Sequence, residues 1–272
     1  MKVKKYLPSL ITLTNLFLGF LSILIIQRGY MIMGCNLIMI AAILDSLDGK
    51  LARKIGVASS FGKEIDSLAD LISFCLAPSF LIFNLFYYSH SFDPRILDLL
   101  FFYLAIISSF PVLMGAIRLA RFNIGHSEEN QSSYFVGLPS PMAAISICSI
   151  VLLKIELSSN AHFINIPNIH NIAQNIISSI VILLSFLMIS KIHFSKFPLF
   201  SFSINKTNSI RLILLLISVG VLILSVAYNY LHIALLCFSL YYILSNTIFH
   251  FINNSIKLNQ LKEKLKNKKR AI

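Results

Sequence analysis

Charged side chains are scarce in this sequence. They make up 12% of its 272 residues, against about 25% in ordinary soluble domains. Runs of roughly 20 apolar residues accompany the shortage, and together they exclude a soluble helical protein in favour of an integral membrane protein. Paired cysteines are missing as well. Cys35, Cys75, Cys148 and Cys237 lie far apart inside apolar runs with no CxxC spacing, so they read as small packing residues rather than disulfides or metal ligands. No A-x-A-like cleavage site follows the N-terminal MKVKKYLPSLITLTNLFLGFLSILIIQ. That stretch is long and contains Thr12, Thr14 and Asn15, so it is expected to be a retained first span rather than a signal peptide. With no convincing internal repeat, a single domain is the simplest organisation.

The apolar runs place eight helices at about 8–27, 31–53, 62–88, 96–122, 138–157, 172–190, 209–228 and 231–251. The bilayer admits only helices or closed barrels, and these runs lack the alternation of barrel strands. The expected fold is therefore an all-α polytopic membrane protein, with 209–228 and 231–251 forming a tight antiparallel pair. Charge tests the number of spans. With the N-terminus inside, all 23 Lys and Arg residues except Arg28, Arg95 and Lys154 fall on inner segments, as the positive-inside rule requires. Both termini are then expected in the cytoplasm. The net charge of +12 lies largely in the tail IKLNQLKEKLKNKKR, which can rest on anionic membrane lipids at about 1 kcal/mol per basic residue. No nucleic-acid partner is expected from it.

Against this background one stretch stands out, DSLDGKLARKIGVASSFGKEIDSLAD at 45–70. Asp45 and Asp48 share one helix face by their i,i+3 spacing, and Asp66 and Asp70 share another by i,i+4. The VASS turn between them folds the two helices antiparallel, so all four carboxylates can enter one seam. Gly49 and Ala52 allow close backbone approach by a helix or ligand, and Gly62 clears space one turn before Asp66. An aspartate at the centre of a spanning helix costs roughly 2.5–3.5 kcal/mol, so four near membrane depth need protons or cations. All-oxygen ligation favours Mg²⁺ or Mn²⁺ over zinc. Four carboxylates on two helices suit a pair of ions roughly 3.5–4 Å apart, the arrangement that clamps phosphoryl chemistry. Simple pairing with Lys50, Arg53, Lys54 and Lys63 is the plainer alternative, and it accounts less well for four aspartates with small residues interleaved.

The full pattern, Asp45-x2-Asp48-Gly49-x2-Ala52-Arg53-x8-Gly62-x3-Asp66-x3-Asp70, resembles without departure the signature of the CDP-alcohol phosphatidyltransferases. Members of that family join a CDP-activated lipid to an alcohol and release CMP. The resemblance implies that Asp45, Asp48, Asp66 and Asp70 hold two Mg²⁺ or Mn²⁺ ions and that Asp70 is the general base. It also implies that Gly49, Arg53 and Ser59 contact the CDP moiety, alongside Ala52 and Gly62. It further implies a homodimer, while the charge-based topology places the active site at the cytoplasmic face of the cell's inner membrane. On this reading the membrane domain covers 1–251, with a catalytic core at about 8–190 and two extra spans in 209–251, followed by a basic tail over 252–272.

Three more segments bear on the alcohol. PSLITLTNLFLGFLSI at 8–23, GAIRLARFN at 115–123 and FVGLPSPMAA at 135–144 look like the phosphatidylserine synthase branch, which takes CDP-diacylglycerol and L-serine. Ser9 departs from the branch, where asparagine is expected; Thr12 and Asn15 remain neighbours of the diphosphate. Arg118 and Arg121 share a helix face and can grip a carboxylate bidentately. They would also suit the phosphate of glycerol 3-phosphate, or an inositol phosphate, so arginine alone does not decide. The GLPSP turn opens a helix whose free N–H groups can help bind an anion. His126, His193 and His232 lack paired ligand spacing and read as interfacial or packing residues. A divalent-cation or proton transporter is the rival of another class. It needs acids along a path through the bilayer, whereas Asp93 and Glu156 lie in or beside loops.

Overall fold

The computed structural model describes residues 3–55, 60–87, 97–124, 134–160, 169–195, 225 and 230–270. Among these the chain is helical apart from one short ribbon. Its elements are α1 (Val3–Gln27), α2 (Met31–Ile55), α3 (Ser60–Asp70), a π-helical stretch (Leu71–Leu76), α4 (Ala77–Tyr87), α5 (Leu97–Ile124), β1 (Tyr134–Val136), α6 (Ser140–Asn160), α7 (Ile169–Ile189), β2 (His193–Ser195) and α8 (Leu231–Arg270). Six helical segments are long and apolar enough to cross a membrane: Ser9–Gln27, Phe61–Tyr87, Phe101–Ile124, Ser140–Ser158, Ile172–Ile189 and Leu231–Ile252. A seventh, Met31–Leu47, is apolar but shorter within the residues whose side chains are described. The span expected at 209–228 lies outside the described residues except for Ser225.

α1 shows what this solvent does to a helix. Leu10, Leu13, Phe17, Phe20 and Leu24 are exposed on one face, while Thr12, Asn15, Ser22 and Ile26 are buried on the other, together with Gly19. Large apolar residues point outward and small or polar ones inward, the arrangement of a helix surrounded by lipid and packed on its neighbours through small residues. Gly19 lies so close to Ser73 that an added Cβ would collide with it. α1 ends at a Schellman motif: the N–H of Tyr30 donates to Ile25 O at 3.2 Å and that of Gly29 to Ile26 O at 2.9 Å. Gly29 supplies the required positive φ of 86°, and α2 returns against α1.

From Ser60 to Tyr87 the chain is one continuous helix with a π-helical segment at its centre. Such segments cluster at functional positions, and this one begins directly after Asp70. The Ser73 hydroxyl within it donates to Asn15 O at 2.9 Å, tying the wider turn to α1. In α5, Pro111 interrupts the hydrogen-bond ladder, and the neighbouring helix compensates: Val112 N–H donates to Ser79 Oγ at 3.2 Å.

β1 and β2 pair antiparallel with Phe135 opposite Phe194, a feature absent from the sequence expectations. The ribbon joins the entry of α6 to the exit of α7. Between β1 and α6, Gly137 adopts φ 80° against the carbonyl of Met188, while its N–H donates to Ile192 O at 2.8 Å. The core lies between these elements, with Phe74, Phe86, Leu138, Ile147, Met188 and Phe194 fully or almost fully buried. His193, expected as a lone histidine, meets His250 of α8 with their Nδ1 atoms 2.9 Å apart. Tyr242 of α8 adds a hydrogen bond to Ser195 O at 3.0 Å. Cys35, Cys75 and Cys148 are free and buried, in keeping with packing roles, whereas Cys237 is free and exposed.

The apolar part of α8, Leu231–Ile252, coincides with the span expected at 231–251, and the helix continues through the basic residues to Arg270. The sequence from Ile256 contains neither Gly nor Pro and is rich in Lys and Leu, both good helix formers.

Candidate active site

Asp45 sits in the C-terminal half of α2, and Asp66 and Asp70 lie one turn apart on α3. Each offers a carboxylate oxygen, and the three oxygens lie within 4.8 Å of one another. All three residues are half-buried. Three carboxylates this close repel strongly, and Asp70 Oδ1 is a buried oxygen with no hydrogen-bond partner among the described residues. Such an atom is costly unless a cation covers it. The donor set is all oxygen, so the residues fit a hard divalent ion.

Other expected site residues fall around this cluster to different degrees. Asp48, Gly49, Ala52 and Arg53 continue α2, but their side chains lie outside the described residues, and so does Ser59 altogether. Gly62 is half-buried in the first turns of α3. Thr12 and Asn15 are buried on the inward face of α1, which packs on α3. Asn15 is 0% exposed, and neither atom of its side-chain amide has a hydrogen-bond partner among the described residues. A buried amide in that condition is rare.

α5 and α6 approach the same carboxylates from the other side. Arg118 is buried, and its Nη1 donates to Ser140 Oγ at 3.1 Å. Ser140 Oγ in turn donates to Asp70 Oδ2 across 3.5 Å. Arg121, one turn further along α5, is exposed and donates to Ile189 O, the last residue of α7, at 2.9 Å. The two arginines were expected on one face. They do line one cavity of about 110 Å³ with Phe122, Phe135 and Val136. Water takes about 30 Å³ per molecule in the liquid, so the cavity holds a small polar molecule or a few waters.

Sequence reasoning missed two residues here. Ser140 was seen only as part of a helix-opening turn. Asn123 closes GAIRLARFN, and its amide bridges α5 to α3: Oδ1 accepts from Ser67 Oγ at 3.0 Å and Nδ2 donates to Glu64 Oε2 at 3.2 Å.

Residues 5–187 match the sequence model of the family described as CDP-alcohol phosphatidyltransferase. The chain belongs to the CDP-alcohol phosphatidyltransferase family. Within that family it is 36% identical over 190 residues to the CDP-diacylglycerol–serine O-phosphatidyltransferase of Helicobacter pylori, covering 70% of this chain and 72% of the relative. It is 34% identical over 189 residues to the protein of the same name from Methanocaldococcus jannaschii, covering 69% and 73%. The archaetidylserine synthase of Methanothermobacter thermautotrophicus is 39% identical over 162 residues, covering 59% and 64%. The CDP-alcohol phosphatidyltransferase match takes in the acidic cluster, Arg118, Arg121 and Ser140, and ends before β2 and α8.

Proposed function

We propose that this protein transfers the phosphatidyl group of CDP-diacylglycerol to the hydroxyl of L-serine, giving phosphatidylserine and CMP in phospholipid biosynthesis. The observation that carries the reading is the chain of contacts from Asp70 of the acidic cluster through Ser140 to Arg118, which lines a small cavity with Arg121. The names of the relatives above support serine as the acceptor.

In this account Asp45, Asp48, Asp66 and Asp70 hold two ions, Mg²⁺ or Mn²⁺. When bound, they neutralise the diphosphate and stabilise charge on the departing CMP. Arg53 adds a fixed cation beside the diphosphate. Gly49, Ala52 and Gly62 admit the CDP-lipid close to the backbone, and Ser59, Thr12 and Asn15 supply polar contacts to it. Arg118 and Arg121 bind the carboxylate of serine, which orients its hydroxyl. Asp70 takes the hydroxyl proton, because a serine hydroxyl is too weak an acid to react without a base in reach. The serine oxygen then bonds to the phosphorus that carries diacylglycerol as the bond from that phosphorus to CMP breaks, with no covalent intermediate on the protein.

The charge distribution supports eight spans with both termini in the cytoplasm, and an active site on the cytoplasmic side of the inner membrane, where water-soluble serine and lipid-borne CDP meet. The family resemblance supports a homodimer. Purified protein offered CDP-diacylglycerol with L-serine, glycerol 3-phosphate or inositol phosphate tests the acceptor. Phosphatidylserine with L-serine alone is expected, and product only with glycerol 3-phosphate overturns the assignment.

A further inference from the structure

Ser140 is the first residue of α6 and is 0% exposed. Its hydroxyl stands between Arg118 Nη1 at 3.1 Å and Asp70 Oδ2 at 3.5 Å. Donor chemistry fixes the direction of both contacts. A guanidinium has only donors and an ionised carboxylate only acceptors. The Ser140 proton must therefore point at Asp70, and its lone pair must receive the Arg118 N–H. The first turn of α6 closes without this hydroxyl, through Ala143 N–H and Pro139 O at 3.0 Å. The longer of the two contacts is of the kind that tightens only when a substrate is bound.

We propose that Ser140 is a positioning residue for the acceptor. By engaging Asp70 Oδ2 it fixes the orientation of the Asp70 carboxylate relative to the acceptor hydroxyl. By holding Arg118 on its other side it sets the spacing between the base and the cation. A base and a guanidinium separated by one hydroxyl match an acceptor whose own hydroxyl and carboxylate are close together, as in a small 2-amino-3-hydroxy acid. The proton still passes from the acceptor to Asp70, and Ser140 keeps its own. This inference rests on the serine reading above.

The test compares the kinetics of CMP release and of phosphatidylserine formation by the purified full chain in mixed micelles, at saturating Mn²⁺. In Ser140→Ala, KM for L-serine is expected to rise and kcat to fall, each roughly tenfold, as when one hydrogen bond to a charged group is removed. KM for CDP-diacylglycerol is expected to stay within about twofold, since the lipid does not bind on the acceptor side. Ser140→Thr retains the hydroxyl and is expected to restore KM for L-serine to within about threefold of wild type. If Ser140→Ala does not fold, Ser140→Cys keeps the volume with a weak donor and is expected to show the same losses. An unaltered KM for L-serine, equal losses for both substrates, or a Ser140→Thr as impaired as Ser140→Ala overturns the role. Wild-type protein that makes no phosphatidylserine overturns the serine reading itself, before any variant is compared.

Discussion

Gly29 and Gly137 offer a controlled test of the packing that builds the acceptor side. Both have positive φ, 86° and 80°, but their surroundings differ. A Cβ at Gly29 meets nothing within 4 Å, whereas one at Gly137 collides with Met188 O and comes within 3.3 Å of Ser190 O. Alanine at either position bears the left-handed strain of about 1–2 kcal/mol. At Gly137 the neighbour is backbone, so the turn must shift, adding about 1–3 kcal/mol. At about 2–4 °C per kcal/mol for a chain of this order, Gly29→Ala is expected to lower Tm by about 4 °C and Gly137→Ala by about 10 °C. The chain has no tryptophan, so melting is followed with a maleimide fluorophore on a Cys237→Ser background, which leaves only the buried Cys35, Cys75 and Cys148. Gly137 also precedes Ser140 by three residues and follows Val136 of the cavity wall. Its alanine variant should therefore raise KM for L-serine while Gly29→Ala does not. Equal melting shifts for the two variants would refute the reasoning.

Removing one carboxylate from the cluster, as in Asp66→Asn, is expected to raise the Mn²⁺ concentration for half-maximal CMP release by about tenfold or more; an unchanged titration would exclude Asp66 as a ligand. Asn123→Ala loses both ties from α5 to α3, at Ser67 and Glu64. It should lower turnover several-fold, and activity equal to wild type would show that the bridge does not position Asp66 and Asp70. Tyr242→Phe removes the bond to Ser195 O and should cost about 1 kcal/mol, seen as a Tm lower by about 3 °C. No change would mean that the Tyr242 hydroxyl does not help hold α8 to β2, leaving that to the bonds that Asn246 and His250 accept.

The acidic cluster was legible in the sequence because helical spacing is local. The i,i+4 interval of Asp66 and Asp70 and the few residues separating α2 from α3 suffice to bring them to Asp45. Helix bounds were legible too, because lipid requires long apolar runs: α5 at Leu97–Ile124 and α7 at Ile169–Ile189 fall within a few residues of the expected spans. What escaped detection depends on distant partners. Strands of three residues, such as Tyr134–Val136, carry no periodicity to read, and their pairing with His193–Ser195 spans two helices. The His193–His250 contact joins residues that no ligand spacing connects. The π-helical stretch after Asp70 leaves no compositional mark, and its anchor, the Ser73 bond to Asn15 O, is visible only in three dimensions. Ser140 was hidden for a related reason: its partners Arg118 and Asp70 come from two other helices.

The central claim is that Asp70, within the cluster of Asp45 and Asp66, takes the proton from serine. Serine-dependent CMP release by Asp70→Asn, on protein whose melting shows it folded, tests that claim most directly. The account predicts a rate lower by about 10²–10⁴-fold at saturating Mn²⁺ and L-serine. Turnover within about twofold of wild type would contradict it and remove the base from the mechanism.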